Sequence, residues 1–138
     1  MKATAYFDVT GWDPTPYDEP AEGPDLTRIA IRKTLRGDIE GESTGEGLFC
    51  GLSNPEAGGG YVVCERIVGR LGDRNGSFVL QHGGLMGPGL SPRTFGHVVP
   101  GSGTGELAGL AGEIEIDRAE DGTHTLTLDY RFAEQATS

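Results

Sequence analysis

Long apolar runs and basic charge are both scarce in this sequence. No stretch of about 18 apolar residues is present to predict a membrane span. The opening residues Met1–Ala3 lead directly into polar and apolar alternation, without the apolar core of a signal peptide, so a cytosolic protein is expected. Lys and Arg total 11 against 21 Asp and Glu, which gives a net charge of −10. This balance argues against nucleic acid and anionic membrane surfaces as partners.

Cysteine is also scarce, with only Cys50 and Cys64 in the chain. They flank a loop rich in Gly and Pro, so we expect two small, buried, reduced thiols. The alternative is a redox pair in which the two residues face each other across a hairpin. A metal site is less favoured, because no Cys-x-x-Cys or His-x-x-x-His spacing accompanies them. We expect neither a metal nor a cofactor.

Glycine, in contrast, is abundant, at 24 of 138 residues. It is densest between Val98 and Glu113, where strand-like sequence gives way to glycines and then resumes. The segment Gly103–Ala108 satisfies a dinucleotide-binding pattern, but that site needs a crossover helix after it. The residues before Gly112 are too few for one, so a structural corner with at most a short helical turn is predicted.

Alternation of apolar and polar residues predicts an all-β protein without a helix of ten or more residues. One domain spanning residues 1–138 is expected, with an ordered core at about 2–132 and a frayed tail. A closed antiparallel barrel is favoured over an open sandwich, because interior glycines let strongly bent strands pass corners. The eight predicted strands are Lys2–Asp13, Leu26–Arg36, Ile39–Cys50, Tyr61–Leu71, Ser77–Gly83, Thr94–Val99, Glu113–Asp117 and His124–Phe132, joined by loops that include 13–24, 69–76 and 83–92.

A few polar side chains fall on otherwise apolar strands. Lys33 lies on the apolar face of its strand, where a lysine either extends out at the strand end or meets a buried carboxylate. Glu65 and His82 are the candidate catalytic residues, since either could move a proton if burial brought its pKa near neutrality. The candidate ligand-binding residues are Lys33, Tyr61, Gln81 and Trp12; Trp12 is out of phase with its strand, which indicates a bulge or an end cap.

The same groups have a purely structural interpretation. Glu65 would bond Lys33, Arg66 would face outward and His82 would cap a turn, because buried polar groups must be paired whatever the function. His97 is a further, weaker candidate. Ser102 lies beside glycines, but no Gly-x-Ser-x-Gly motif accompanies it, which argues against a hydrolase.

Several motifs together resemble the DUF3224 family of uncharacterised bacterial proteins. They are Trp12-Asp13 followed by Pro16-Tyr17, Gly37 to Gly41 (GDIEG), Glu65 to Gly69 (ERIVG), Gly76 to His82 (GSFVLQH), and Val99 to Leu110 (VPGSGTGELAGL). The resemblance covers about residues 2–132 and implies a barrel similar to that of allene oxide cyclase, which supports the closed eight-stranded prediction. It implies no established activity. Pro14 stands where the family usually has an acid, and no catalytic residue of the cyclase carries over by motif.

These observations lead to two hypotheses of function. In the first, a homodimeric barrel binds a small, mainly apolar molecule in its lumen, with an isomerase or cyclase activity as an extension. In the second, the barrel is a non-catalytic scaffold filled by its own side chains. The strand Tyr61–Leu71 is apolar on both faces, which is typical of a strand covered on both sides and indicates that its outer face mediates self-association.

Overall fold

A computed structural model describes residues 1–133, with the side chain of Pro92 left out of the description. It contains nine strands and one 3-10 turn at Pro55–Ala57. The strands are β1 (Lys2–Asp18), β2 (Leu26–Gly37), β3 (Ile39–Cys50), β4 (Gly59–Leu71), β5 (Arg74–Gly87), β6 (Leu90–Val98), β7 (Thr104–Gly105), β8 (Leu110–Arg118) and β9 (His124–Phe132). The expected frayed tail concerns residues 134–138, which lie outside the described residues.

Eight of these strands close into an antiparallel barrel. Neighbouring strands pair in the order β1, β2, β3, β4, β5, β6, β8 and β9, and β9 pairs back with β1. The two-residue strand β7 attaches only to β5. The prediction of an all-β, closed, eight-stranded barrel is therefore confirmed.

Strand β2 shows why this sequence forms a barrel wall. Its residues alternate strictly between buried and exposed from Thr27 to Arg36. Ile29, Ile31, Lys33 and Leu35 point inward, as the alternation predicted. Lys33 thus follows two isoleucines into the interior.

Strand β1 is longer than predicted. The expected loop over residues 13–24 is wrong in its first part, because β1 continues to Asp18 and pairs with β2. Beyond Phe7 no strand within residues 1–133 pairs with the other edge of β1, so Pro14 and Pro16 are tolerated in an edge segment. A register shift between Val9 and Gly11 marks a bulge in β1. This bulge accounts for the position of Trp12, which is out of phase with the alternation of the preceding residues.

Two other predicted loops are mostly strand. Strands β4 and β5 are joined by the two-residue turn at Gly72-Asp73, so the loop expected over 69–76 is wrong. Strand β5 also continues to Gly87, where a loop was expected over 83–92. Tight turns keep neighbouring strands paired to their ends, and composition alone did not show this.

The glycine-rich corner follows β6 and is structural, as predicted. It contains turns and β7, and residues 104–133 contain no helix. A Cβ at Gly103 would lie 2.0 Å from the carbonyl oxygen of Leu107, so only glycine fits there. Leu107 is fully buried in the main apolar core, so the corner carries a core side chain into the barrel.

The interior has two apolar clusters. All eight barrel strands contribute to the larger cluster, although β3 does so only through Ile39. This cluster includes Phe78, Leu80 and Ile67. The smaller contains Ile29, Ile31 and Val63, with Phe49 and Tyr61 packed against it. Along β2, Lys33 lies between members of these two clusters.

Both cysteines are free, as expected for reduced thiols, but the expectation that both are buried is wrong. Cys50 pairs with Gly60, and Cys64 pairs with Glu46, so the two thiols do not face each other. Both are free; Cys50 is half-buried and Cys64 is exposed. The redox pair fails because the hairpin register offsets Cys64 from Cys50 by four residues along β4.

Candidate functional site

Four polar side chains from four neighbouring strands meet inside the barrel. Glu65 Oε2 accepts hydrogen bonds from Lys33 Nζ at 2.9 Å and from His82 Nε2 at 2.5 Å. Glu65 Oε1 accepts a bond from Ser43 Oγ at 2.8 Å. All four residues are buried, and Glu65 is only 3% exposed. We call Lys33, Ser43, Glu65 and His82 the polar cluster.

The alternatives for Lys33 are thereby resolved in favour of the buried carboxylate. The ammonium also lies 4.6 Å from the centre of the Phe7 ring, which adds a cation–π contact. Arg66 is exposed, as the structural interpretation required. His82, however, bonds Glu65 rather than capping a turn.

Burial and the neighbouring polar groups shift the pKa of Glu65 in opposing directions. Burial alone would raise the pKa of Glu65, but the hydrogen bond from His82 and the charge of Lys33 outweigh it and lower the pKa to about 2. The expectation that burial brings the pKa of Glu65 toward neutrality is not met. The carboxyl group is ionised at neutral pH and engaged by three donors. It is suited to positioning its neighbours and not to accepting a proton.

His82 has one satisfied nitrogen and one that is not. Its Nε2 faces the Glu65 carboxylate, while Nδ1 is buried without a hydrogen-bond partner among residues 1–133. A buried polar atom left unpaired costs about 1–3 kcal/mol. Such atoms are rare enough in native proteins to indicate a functional position.

A pocket of about 220 Å³ opens beside the polar cluster. Its wall is mostly aromatic and aliphatic. Two members of the polar cluster, Lys33 and His82, also line it. The lining residues are Phe7, Val9, Trp12, Ile31, Lys33, Phe49, Tyr61, Val63, His82, Ile116 and His124. We call this space the mouth pocket.

Aromatic rings run in succession from the rim of the mouth pocket to the polar cluster. Trp12, 51% exposed, meets Phe49 edge-on at 5.5 Å between centroids, and Phe49 stacks on Tyr61 at 5.2 Å. The edge of Tyr61 then faces His82 at 6.4 Å. Burial raises the pKa of the Tyr61 hydroxyl. On the opposite wall, Phe7 stacks on His124 at 5.0 Å.

The structure brings most of the predicted site residues together. Trp12, Lys33, Tyr61 and His82 line the mouth pocket, and Glu65 lies beneath it. Gln81 does not join them; it is exposed on the outer face, where its amide donates to Cys64 Sγ at 3.8 Å. Successive residues of a strand point to opposite faces, so His82 and Gln81 could not both point inward.

Sequence reasoning missed Ser43, Phe49, Phe7 and His124. Phe7 lies on the buried face of β1, and that face forms part of the pocket wall. Ser43 stands on a strand poor in large side chains, and only its register opposite Lys33 reveals it as a partner for Glu65. His97, the weaker candidate, is exposed on the outer face.

Comparison with known proteins identifies the family. The model of a protein family of unknown function, DUF3224, matches residues 3–130. The chain belongs to the DUF3224 family. A crystal structure of a DUF3224 protein of unknown function from Shewanella oneidensis MR-1 is 39% identical, with a TM-score of 0.87 and coverage of 98% of both chains. No match was found among curated proteins.

Other features of this DUF3224 protein bear on what it can bind. Within residues 1–133, no three His, Cys, Asp or Glu side chains are grouped so that they could hold a metal ion. In the same range, no helix has the length and apolar character needed to cross a membrane.

The outer face of the barrel carries an apolar stripe. Leu48, Val62 and Phe95 lie in one row across β3, β4 and β6, with Gly83 of β5 between the last two. Their side chains are about half exposed, at 49%, 52% and 53%. We call these three residues the outer stripe.

Proposed function

We propose that this DUF3224 protein binds a small, mainly apolar molecule in the mouth pocket. The observation that carries the proposal is an aromatic wall that ends on a buried polar cluster. Ligand sites are mostly apolar concave surfaces with a few convergent polar groups that fix orientation. Aromatic side chains supply the affinity in such a site, and Lys33 and His82 supply the polar contacts.

The size of the pocket limits the ligand. The larger apolar cluster, with Phe78, Leu80 and Ile67, occupies part of the barrel interior, and the mouth pocket opens beside the polar cluster. Its volume of about 220 Å³ is below the roughly 300–1,000 Å³ usual for drug-sized ligands. We therefore expect a compact molecule with one or two rings.

The test begins with native mass spectrometry of the purified protein, in which a copurified small molecule would appear as added mass. Trp12 is the only tryptophan and lies at the pocket rim, so its fluorescence should change on ligand binding. Small cyclic alcohols and indole are suitable probes. If the protein showed no added mass and no saturable change in Trp12 emission with any probe, the proposal would be contradicted.

Phe49→Ala should weaken binding of these probes by roughly tenfold or more, because it removes an aromatic ring that contacts both Trp12 and Tyr61. The matched control is Phe95→Ala, which removes an equal ring from the outer face. Calorimetric titration of both variants measures the difference. Equal losses in the two variants would show that the mouth pocket is not where the probes bind.

An isomerase or cyclase activity remains the catalytic extension of this proposal. His82 is the residue to move a proton, because Glu65 is held as an anion by its neighbours. In D₂O, a copurified molecule should gain deuterium faster in the presence of the wild-type protein than in the presence of His82→Ala. Equal rates would leave a binding protein without catalysis.

A second candidate function is self-association through the outer stripe, as the sequence predicted for this face. We propose a homodimer, because half-exposed apolar side chains in one row favour a second apolar surface. Glu46 and Arg93 stand on β3 and β6, the strands at the two ends of the stripe, and in a twofold pair the carboxylate of one copy could face the guanidinium of the other.

Phe95→Glu should convert such a dimer to a monomer of 14.5 kDa, since it would bury a charge in the interface. Sedimentation equilibrium of the wild type and the variant gives the masses. A wild-type protein that sediments as a monomer at all concentrations tested would refute the homodimer.

We also propose a cytosolic location, since Cys50 and Cys64 are both free thiols, as is usual in a reducing compartment. Cell fractionation tests this, and recovery in a secreted fraction would exclude it.

A further inference from the structure

His82 lines the mouth pocket and has one unused hydrogen-bonding atom, Nδ1. The residue is 6% exposed and lines the pocket, and its Nδ1 makes no hydrogen bond within residues 1–133. The other ring nitrogen is fixed by Glu65. The chemistry of Nδ1 therefore determines which polar group a ligand can present there.

The hydrogen-bond network determines which nitrogen carries the proton. An ionised carboxylate only accepts hydrogen bonds, so His82 Nε2 must donate to Glu65. When the imidazole is neutral, its Nδ1 therefore carries a lone pair and accepts a hydrogen bond.

An acceptor at this place selects among ligand groups. A carbonyl or carboxylate oxygen would bring its own lone pairs against Nδ1. A protonated amine could donate, but its charge would be repelled by Lys33, which lines the same pocket. A hydroxyl group donates without a charge, so it fits the lone pair of His82 best.

We propose that the molecule bound in the mouth pocket is a small aromatic alcohol or phenol whose hydroxyl group donates a hydrogen bond to His82 Nδ1. This inference rests on the function proposed above and adds the class of ligand. The aromatic part is indicated by Trp12, Phe49 and Tyr61, whose rings stack or meet edge-on along one wall. Because Nδ1 is closed to solvent, a small side-chain movement accompanies the contact, and the recovered hydrogen bond offsets its cost.

The test compares two probes of nearly equal shape, 2-naphthol and 2-methylnaphthalene. Calorimetric titration of the wild-type protein should show roughly tenfold tighter binding of 2-naphthol, the effect of about one buried hydrogen bond. Equal affinities would overturn the inference and leave the proposed apolar-ligand function standing. Binding of neither probe would overturn both.

His82→Gln gives the matched variant. The Gln amide can still donate to Glu65 from near the position of Nε2, but it has no group at the position of Nδ1. We expect the affinities for the two probes to converge in His82→Gln, while Phe95→Ala keeps the wild-type difference. A tenfold preference that persists in His82→Gln would refute the role of Nδ1.

A spectroscopic readout keeps the test independent of protein stability. The nitrogen resonances of His82 in the wild-type protein should show a protonated Nε2 and an unprotonated Nδ1. Addition of 2-naphthol should shift the Nδ1 resonance in the direction of hydrogen bonding, and 2-methylnaphthalene should not. A protonated Nδ1 in the free protein at neutral pH would overturn the tautomer and the ligand class derived from it.

Discussion

Lys33→Met is expected to lower the free energy of unfolding by about 3–5 kcal/mol, the usual cost of removing one partner of a buried ion pair. The Lys33 side chain is 8% exposed and that of Glu65 is 2% exposed, so water cannot replace the lost ammonium. Met has a similar length and packs well, which restricts the loss mainly to the uncompensated charge of Glu65. Urea denaturation at pH 7 measures it.

Arg28→Met is the matched control on the same strand. Arg28 pairs with Glu46 at 3.6 Å, but both side chains are more than half exposed, and such pairs contribute about 0–1 kcal/mol. Comparable losses in Lys33→Met and Arg28→Met would show that the polar cluster does not depend on its buried charge pair.

The pH dependence of stability gives a second signature of the same pair. The pKa of Glu65 is lowered from 4.5 to about 2 in the folded protein, so its contribution is present above the unfolded pKa and is lost as pH falls between these values. Without Lys33 the folded pKa rises, so Lys33→Met should lose less of its remaining stability over that interval. Urea titrations at pH 5 and pH 3 would show the difference.

The polar cluster could be predicted in part because strand alternation is a local property. The positions of Lys33 on β2 and Glu65 on β4 follow from period two alone, and both point inward. Their meeting depends on barrel closure and on register, which the glycine content indicated only in outline. Ser43 and the unpaired Nδ1 of His82 depend on side-chain geometry, which no sequence pattern contains.

The errors have a common cause in strand pairing. Pro14 and Pro16 predicted a loop, but the edge of β1 tolerates prolines where no neighbour needs their N–H group. Gln81 was grouped with His82 because both end an apolar run, yet adjacent residues of one strand face opposite sides. The alternative that Cys50 and Cys64 face each other rested on their nearly symmetric spacing about the loop, but the register pairs Cys50 with Gly60 and Cys64 with Glu46.

Gly69→Ala tests the close backbone approach on which the curvature of this barrel wall depends. Gly69 pairs with Gly41 across β3 and β4, and a Cβ at Gly69 would lie 2.0 Å from the Glu40 carbonyl oxygen and 2.7 Å from Gly41 Cα. Both contacts are backbone, so neither can rotate away. We expect a loss of more than about 3 kcal/mol in urea denaturation, at the upper end for overpacking.

Gly87→Ala is the control, because a Cβ there meets its nearest atom at an ordinary 3.6 Å. Near-ultraviolet circular dichroism would show whether Gly69→Ala keeps its tertiary structure. If Gly69→Ala were as stable as Gly87→Ala, β3 and β4 could move apart at this point without a loss in the free energy of unfolding. The strands that carry Ser43 and Glu65 would then not be held by this contact, and the geometry of the polar cluster would need another cause.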